Sequence, residues 1–447
     1  MSTIVSTLFN KLPLSFKDSG MQALVVTKLF GNVIRLLSNL LLARFLSPDA
    51  FAIFGLAFTV IFAFEMISDG GFRAFILKHK DGDEKYLLKT LWTIKLIRNA
   101  ILAILLYTSS GYVAEFFMIP ELSLVLKVMC LCFFAESLIP IGFIAIERQN
   151  RIARVMYVRF ACMLLSVIFS VVGVYLTGSY WLVIASMVLN PTLQIILGLI
   201  FIGSHGTGFY FDRAIIFEFL HWAKFIIPSS IITLLLLQFD KVVLGRILSV
   251  SELGLYFIAF SVASAAKSFT VEYARGVLQP YLSIVYREMP EQYLEKNYGK
   301  KQKIILFIAV GLGALCGASY LFFDLLYPDE YISAGFYLSL LLVTPIMTLI
   351  TYPSEVSLIL YGQLKTTLIA NIIRLVWFVV GAACSYFWWG AMGLLITIAL
   401  VEVLPAIYMM ARLYVLKAVS LSKELYIILL AFGGFIFSRM VWSSLGY

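Results

Sequence analysis

Long uninterrupted apolar runs dominate this chain. Runs of about 20 apolar residues, the length of a helix that crosses a bilayer, recur from one end of the sequence to the other. Inside hydrocarbon every backbone polar group must be paired within the protein, so such runs form helices or closed barrels. The runs are continuous and do not alternate in polarity, which selects helices. With 62% hydrophobic and 13% charged residues among 447, the sequence predicts an all-α polytopic membrane protein.

We place twelve membrane helices along the chain and a weaker thirteenth at its end. Their predicted ranges are 21–46, 50–72, 87–110, 121–146, 155–177, 180–203, 222–247, 252–274, 302–326, 333–361, 366–388, 390–415 and 423–444. Whether the thirteenth crosses the membrane is left open. The segment 212–221, midway along the chain, is predicted to form an amphipathic helix on the membrane surface.

One stretch of the chain occurs twice. Residues 41–60, LLARFLSPDAFAIFGLAFTV, match residues 243–262, VLGRILSVSELGLYFIAFSV, at an offset of 202 positions, and seven of the twenty aligned pairs are identical. The shared arginines, Arg44 and Arg246, carry more weight than the aliphatic identities, because apolar membrane sequences match one another easily. We interpret the two stretches as equivalent hairpins of an internal repeat.

The basic residues fall mainly on one side of the predicted helices. With the N-terminus inside, 24 of the 34 lysines and arginines lie at inner ends or in inner connections. The outer connections carry acids instead. This pattern satisfies the positive-inside rule and predicts a cytoplasmic N-terminus. It also accounts for the net charge of +9 without a nucleic-acid partner.

The repeat offset predicts how the two halves of the chain are related. Because 202 residues span six helices, an even number, both copies start on the same side of the membrane. The halves are then parallel, as in one known plan for transporters. We predict two parallel six-helix bundles around a central cavity, at 1–203 and 222–415, with a cytoplasmic linker at 204–221 and an extra C-terminal helix at 416–447.

Ionisable residues inside the predicted membrane helices mark candidate functional positions, because they are costly in hydrocarbon and usually face protein or water. Arg35, Lys267 and Glu402 lie deepest. Lysine and arginine donate charge-assisted hydrogen bonds to phosphate oxygens, so such cations suit an anionic cargo such as a pyrophosphate. Alternatively, these charges form ion pairs between helices. Glu65 and Lys267 occupy equivalent positions of the two repeats, so the halves differ in charge there.

We assign two sets of candidate residues. The candidates for substrate binding are Arg35, Lys267, Arg374, Lys95 and Arg98. The candidates for coupling or gating are Asp240, Glu402, Arg44 and Arg246. Arg44 and Arg246 would flank the outer mouth of the cavity, or alternatively serve as anchors at the membrane interface.

Other motifs favour structural roles. Gly311, Gly313 and Gly317 lie in one apolar helix without a preceding strand, which indicates close helix packing and not a nucleotide loop. The acidic stretch 81–84 is short and flanked by lysines, which favours a solvated turn over a metal site. The five cysteines lie in apolar runs and the three histidines are scattered. We therefore predict no catalytic residue, no metal site and no cofactor.

Several stretches resemble a known family. The hairpin 41–60, together with ISDGGFRAFILKHK at 67–80, resembles the N-terminal signature of bacterial oligosaccharide flippases. These form the polysaccharide transporter branch of the superfamily that also contains multidrug-and-toxin exporters and the lipid II flippase. The stretch 238–260 is similar to the family pattern of the second half, and 146–154, IERQNRIAR, to a basic loop of members that handle exopolysaccharide. At 52–54 the chain has Ala-Ile-Phe where the family has Gly-x-Tyr, and we expect no loss of function from this change.

The resemblance implies a multi-pass protein of the bacterial inner membrane that works by alternating access. It implies that the cargo is an undecaprenyl-diphosphate-linked oligosaccharide, moved from the cytoplasmic to the outer leaflet for synthesis of O-antigen (lipopolysaccharide), exopolysaccharide or capsule. Coupling to an Na+ or H+ gradient, contacts with membrane lipid, and partnership with a polysaccharide polymerase and a chain-length regulator are further expectations.

Two other functions are considered. An ion-coupled multidrug exporter could use the same scaffold, but a cavity for cations should be dominated by acids, whereas the deep charges here are mainly basic. A membrane glycosyltransferase or polymerase would call for a large outer loop or an acidic catalytic motif, and every predicted outer loop is short.

Overall fold

A computed structural model of the protein describes residues 19–149, 152–204, 206–298 and 300–444. The predicted cytoplasmic N-terminus lies outside these residues. Within them the chain forms helices joined by turns, with no strand. This confirms the prediction of an all-α protein.

The chain divides into two compact units, the first ending at Gly254 and the second starting at Leu255. The helices that begin in the first unit are α1 (Ser19–Leu42), α2 (Pro48–Ser68), α3 (Phe72–Lys78), α4 (Lys85–Phe117), α5 (Glu121–Leu138), α6 (Gly142–Arg148), α7 (Ile152–Thr177), α8 (Trp181–Phe201), α9 (Arg213–Ile247) and α10 (Val250–Tyr273). Most of α10 belongs to the second unit.

The second unit continues with shorter helices. They are α11 (Gln279–Glu288), α12 (Tyr293–Tyr298), α13 (Lys300–Gly317), α14 (Ser319–Leu326), α15 (Ala334–Leu341), α16 (Val343–Leu360), α17 (Leu364–Val376), α18 (Ala382–Ala399), α19 (Val403–Val415) and α20 (Leu421–Ser444). A π-helical turn, Ala274–Leu278, joins α10 to α11, and another, Trp377–Gly381, joins α17 to α18.

Nine helical stretches among the described residues are long and apolar enough to cross a membrane, and the number rises to eleven if each of two bent pairs is one span. One of the nine, Leu364–Val415, has 52 residues, which would make about 78 Å of straight helix. Gly390 interrupts it with φ 57° and ψ −143°, and Thr397 donates a hydrogen bond to Ser385 Oγ at 2.7 Å across this turn. The stretch therefore folds back at Gly390, where the sequence predicts a turn between two spans.

The C-terminal helix α20 packs closely on α13. A Cβ at Gly313 would lie 1.8 Å from the Ala431 carbonyl oxygen, and one at Gly317 would lie 2.1 Å from Ser438 Oγ. This confirms the prediction of close packing for Gly313 and Gly317, whereas Gly311 has no neighbour within 4 Å. The part Leu421–Val441 is itself long and apolar enough to span a membrane.

The segment 212–221 is not a helix of its own, and its predicted place on the membrane surface stays a prediction. These residues form the N-terminal cap and first turns of the continuous helix α9, and Asp212 caps it by accepting hydrogen bonds from the backbone N–H groups of Ala214 and Ile215 at 2.9 and 3.3 Å. The apolar side of these turns packs into a buried cluster with α3, α4 and α6; its members from α9 are Ile215, Phe219 and Ala223.

Helix α9 is thereby included in the first compact unit, whereas the prediction places it in the second bundle. Compactness does not show which helices move together. The predicted bundle boundaries at 203 and 222 therefore stay a prediction.

Candidate functional site

Helix α1 has one polar side and one apolar side. At about 100° per residue, four polar residues fall within a sector of about 60°: Lys28, Asn32, Arg35 and Asn39. The opposite side carries exposed apolar residues, which suit lipid: Phe30, Val33, Leu37 and Leu41. Arg35 is exposed and has no acidic partner within 4 Å among the residues that the structure describes. Its guanidinium group therefore faces away from lipid and is available to an anion.

The candidates Lys95 and Arg98 on α4 lie in a mixed group of charges in the first unit. Their acidic neighbours are Glu65 on α2 and Glu136 on α5, whose carboxyl groups are within hydrogen-bonding distance of each other. The Arg98 Nε donates a hydrogen bond to Asn99 Oδ1 at 3.0 Å. Both cations are half-buried. This part of the structure fits the alternative that intramembrane charges stabilise one another between helices.

Three predicted residues of the second unit come together. The Glu402 carboxylate lies 2.8 Å from Arg374 Nη2 and 3.7 Å from Lys267 Nζ. These residues come from three different elements, since Lys267 is in α10, Arg374 is in α17 and Glu402 is the residue before α19. Asn371, one turn before Arg374, accepts a hydrogen bond from Arg374 Nη1. We call Lys267, Arg374 and Glu402 the Glu402 triad, and its formal charge is +1.

The predicted coupling and gating residues do not form one site. Asp240 is buried and lies 3.4 Å from the neighbouring Lys241 Nζ, which also donates to the Leu237 carbonyl oxygen at 2.8 Å. Arg44 and Arg246 are both exposed. The Arg246 guanidinium contacts Met118 Sδ at 3.1 Å, which fits the anchor interpretation better than a gating ion pair.

A further charge group was missed by sequence reasoning. Glu147 is buried at the end of α6, where its carboxylate lies 2.7 Å from Arg73 Nε and 3.8 Å from Arg159 Nη1. The sequence placed Glu147 in a polar inner connection. The signal in the sequence was a single acid in an otherwise basic segment. A buried acid needs cations around it, so this pattern indicates a candidate for a buried ion pair.

The chemistry of these groups suits binding of an anion. Among the described ranges, no cluster of three or more histidine, cysteine, aspartate or glutamate residues could hold a metal ion. Arg35 and the Glu402 triad instead offer N–H donors and net positive charge in apolar surroundings, where phosphate oxygens are strong acceptors.

Comparisons with known proteins give a consistent assignment. The family model described as "Polysaccharide biosynthesis protein" matches residues 41–336. The teichuronic acid biosynthesis protein TuaB of Bacillus subtilis (strain 168) is 22% identical over 204 residues, which is 45% of this chain. The match spans only 41% of the length of that relative.

Solved structures of transporters share the fold. The lipid II flippase MurJ in an inward closed conformation superposes with a TM-score of 0.71 at 14% identity, covering 95% of this chain and 98% of that one. A multidrug resistance transporter of the MATE family in an inward-facing conformation gives 0.63 at 16% identity, covering 87% and 95%. At these identities the likeness shows the fold alone. A multi-pass membrane protein with a transporter fold is therefore established.

Proposed function

Because the chain belongs to the polysaccharide biosynthesis protein family, we propose that it is a flippase for lipid-linked oligosaccharide. The cargo would be an undecaprenyl-diphosphate-linked oligosaccharide that moves from the cytoplasmic to the outer leaflet of the bacterial inner membrane. The product would supply O-antigen, exopolysaccharide or capsule synthesis. The likeness of the fold to a lipid II flippase supports this proposal, because lipid II is also a lipid-linked saccharide.

The observation that carries the proposal is the position of Arg35. A fully charged guanidinium in a membrane helix is costly, yet Arg35 has no acidic partner among the described residues and faces away from the lipid side of α1. Such a group is explained if it binds the diphosphate of the cargo. Lys267 and Arg374 of the Glu402 triad, and Lys95 and Arg98 of the first unit, would provide further cations along the route.

Transport would proceed by alternating access, driven by an Na+ or H+ gradient, without a cofactor and without enzymatic chemistry. The N-terminus would be cytoplasmic, as the basic residues indicate. Partners would be the lipid-linked oligosaccharide, membrane lipid, a polysaccharide polymerase and a chain-length regulator.

The test uses surface glycan in a strain that depends on this protein. We expect Arg35→Ala and Lys267→Ala to abolish surface glycan while the protein remains in the membrane at wild-type amount. Lys365→Ala is the matched control, because Lys365 is an exposed cation at the start of α17. Normal glycan in both variants would contradict the role of these cations.

An ion-coupled multidrug exporter remains the second candidate, because the fold also matches a MATE family transporter at a TM-score of 0.63. The Glu402 triad argues against it, since two cations and one acid repel a cationic drug. We expect that deletion of the gene leaves sensitivity to cationic dyes unchanged. Increased dye sensitivity in the deletion strain, reversed by the wild-type gene, would favour the exporter.

A further inference from the structure

The two ion pairs of the Glu402 triad differ in strength. Arg374 Nη2 contacts Glu402 Oε2 at 2.8 Å, a normal distance for a charge-assisted hydrogen bond, whereas Lys267 Nζ lies 3.7 Å from Glu402 Oε1. Glu402 is buried, with 4% of its side chain exposed, and 33% of the Lys267 side chain is exposed. Glu402 is therefore held by Arg374, while Lys267 is only loosely attached to it.

The fold fixes Glu402 and Arg374 but leaves Lys267 adjustable. Arg374 is held on its other side by Asn371, and Glu402 sits at a break between α18 and α19. A guanidinium is a planar fork that keeps its geometry, whereas an ammonium on four methylenes rotates and presents three donors. Lys267 can turn toward another anion without leaving Glu402 unpaired, because Arg374 still neutralises it. An unpaired buried carboxylate would be strongly destabilising.

We propose that Glu402 is a resident counter-ion for Lys267 that a diphosphate displaces. This inference rests on the proposed function and deepens it: Lys267 is the exchangeable cation, Arg374 is a positioning residue for Glu402, and the ligand class is a diphosphate group. In the absence of cargo, Glu402 competes with weakly binding anions for the Lys267 ammonium group. A diphosphate carries more charge than one carboxylate and outcompetes it.

The repeat supports placing this exchange in the second unit. The position equivalent to Lys267 in the first repeat is Glu65, whose neighbours include Glu136 and which cannot attract an anion. Of the two equivalent positions, only position 267 therefore carries a cation.

The test measures binding of inorganic pyrophosphate to the purified full-length protein at constant ionic strength. We expect Glu402→Gln to bind pyrophosphate about tenfold more tightly than the wild type, because the neutral side chain no longer competes for Lys267. A tenfold change corresponds to about 1.4 kcal/mol of binding free energy. The glutamine amide oxygen still accepts a hydrogen bond from Arg374, so the variant keeps this packing contact. Lys267→Ala should lose the binding, and the double variant should behave like Lys267→Ala. The control is Glu330→Gln, which removes an exposed acid of the same unit and should leave affinity unchanged.

A second measurement needs no substitution. Pyrophosphate should slow the reaction of the Lys267 amine with an acylating reagent in the wild-type protein, measured by mass spectrometry, at least threefold. Unchanged or weaker pyrophosphate binding by Glu402→Gln would overturn the counter-ion role and leave the flippase proposal intact. No binding and no protection in the wild type would remove Lys267 as a diphosphate ligand, while the glycan assay judges the flippase proposal separately.

Discussion

The backbone of Gly254 packs directly against the carbonyl group of Pro48. A Cβ at position 254 would lie 1.8 Å from the Pro48 oxygen and 2.5 Å from its carbonyl carbon. Pro48 begins α2, in the first repeat hairpin, and Gly254 lies in the first turns of α10, in the second hairpin. The two copies of the repeat therefore contact each other at a point where no side chain fits.

We expect Gly254→Ala to lower the stability of the protein by about 1–3 kcal/mol, the usual cost of overpacking a well-filled site. The measurement is thermal unfolding of the purified protein in detergent. Gly111→Ala is the control, because Gly111 also lies in a membrane helix and has no neighbour within 4 Å. That variant should be neutral or slightly stabilised, since alanine favours helix. Equal melting temperatures for the two variants would contradict the importance of the Pro48 contact.

The α13–α20 interface offers a comparison within a single helix. We expect Gly313→Ala to weaken the attachment of α20, because the new methyl group would overlap the Ala431 carbonyl oxygen. Limited proteolysis in the connection before α20 should become faster, and the melting temperature should fall. Gly311→Ala adds the same methyl group two residues earlier into open space and should have neither effect. If both variants resist proteolysis like the wild type, the interface tolerates the extra volume.

Local properties explain which parts of the fold could be predicted. Length and polarity of apolar runs are local, so the helices and the turn at Gly390 follow from the sequence. The burial of Ile215 and Phe219 was not predictable in this way, because an apolar side of a helix fits a lipid surface and a protein core equally well. Only the contacts of α9 with α3 distinguish them.

In the candidate site, too, the unusual residues could be predicted from the sequence, whereas their contacts could not. The cost of charge in hydrocarbon identified Lys267, Arg374 and Glu402 as unusual positions. Their pairing joins Lys267 to two residues more than a hundred positions further along the chain, and the sequence provides no distance between them. The ion-pair alternative considered for Lys267 agrees with the structure. Arg35, assigned to the same role, has no such partner among the described residues.

The turn after α3 depends on one arginine. Arg148 Nη1 donates to the Ile76 carbonyl at 3.0 Å and also to the His79 carbonyl. Its Nη2 donates to the Lys80 carbonyl at 3.0 Å, and its Nε lies 3.1 Å from Asp83 Oδ2. These bonds satisfy the Ile76 carbonyl in the last turn of α3 and fix two carbonyl groups of the turn that follows it.

We expect Arg148→Ala to destabilise the protein by about 1–3 kcal/mol, because charge-assisted hydrogen bonds to backbone carbonyls are lost. Hydrogen exchange of the amides in 79–84 should increase, which locates the effect. Arg154→Ala, a nearby exposed arginine, is the control and should leave both quantities unchanged. Unaltered exchange in Arg148→Ala would mean that water replaces the guanidinium without cost.

The contact between Tyr298 and Glu424 makes stability depend on pH at the alkaline end. The Tyr298 hydroxyl donates to Glu424 Oε1 at 2.6 Å and accepts from the Ser420 backbone N–H at 3.1 Å. Burial, followed by the nearby Glu424 carboxylate, raises the pKa of the Tyr298 phenol above its usual value. The folded protein therefore keeps this proton at a pH where the unfolded chain, with a tyrosine pKa of about 10, has lost it.

The sign of the effect follows from this difference. Below about pH 10 the phenol is protonated in both states and contributes no pH dependence, whereas above it each pH unit removes about 1.4 kcal/mol of stability through this one group. We expect Tyr298→Phe to be less stable than the wild type at pH 8, because Glu424 loses a buried donor. Its stability should fall less steeply between pH 10 and 11, as measured by thermal unfolding. Tyr112→Phe, at an exposed tyrosine, should retain the wild-type slope, and equal slopes for all three proteins would contradict the assignment to Tyr298.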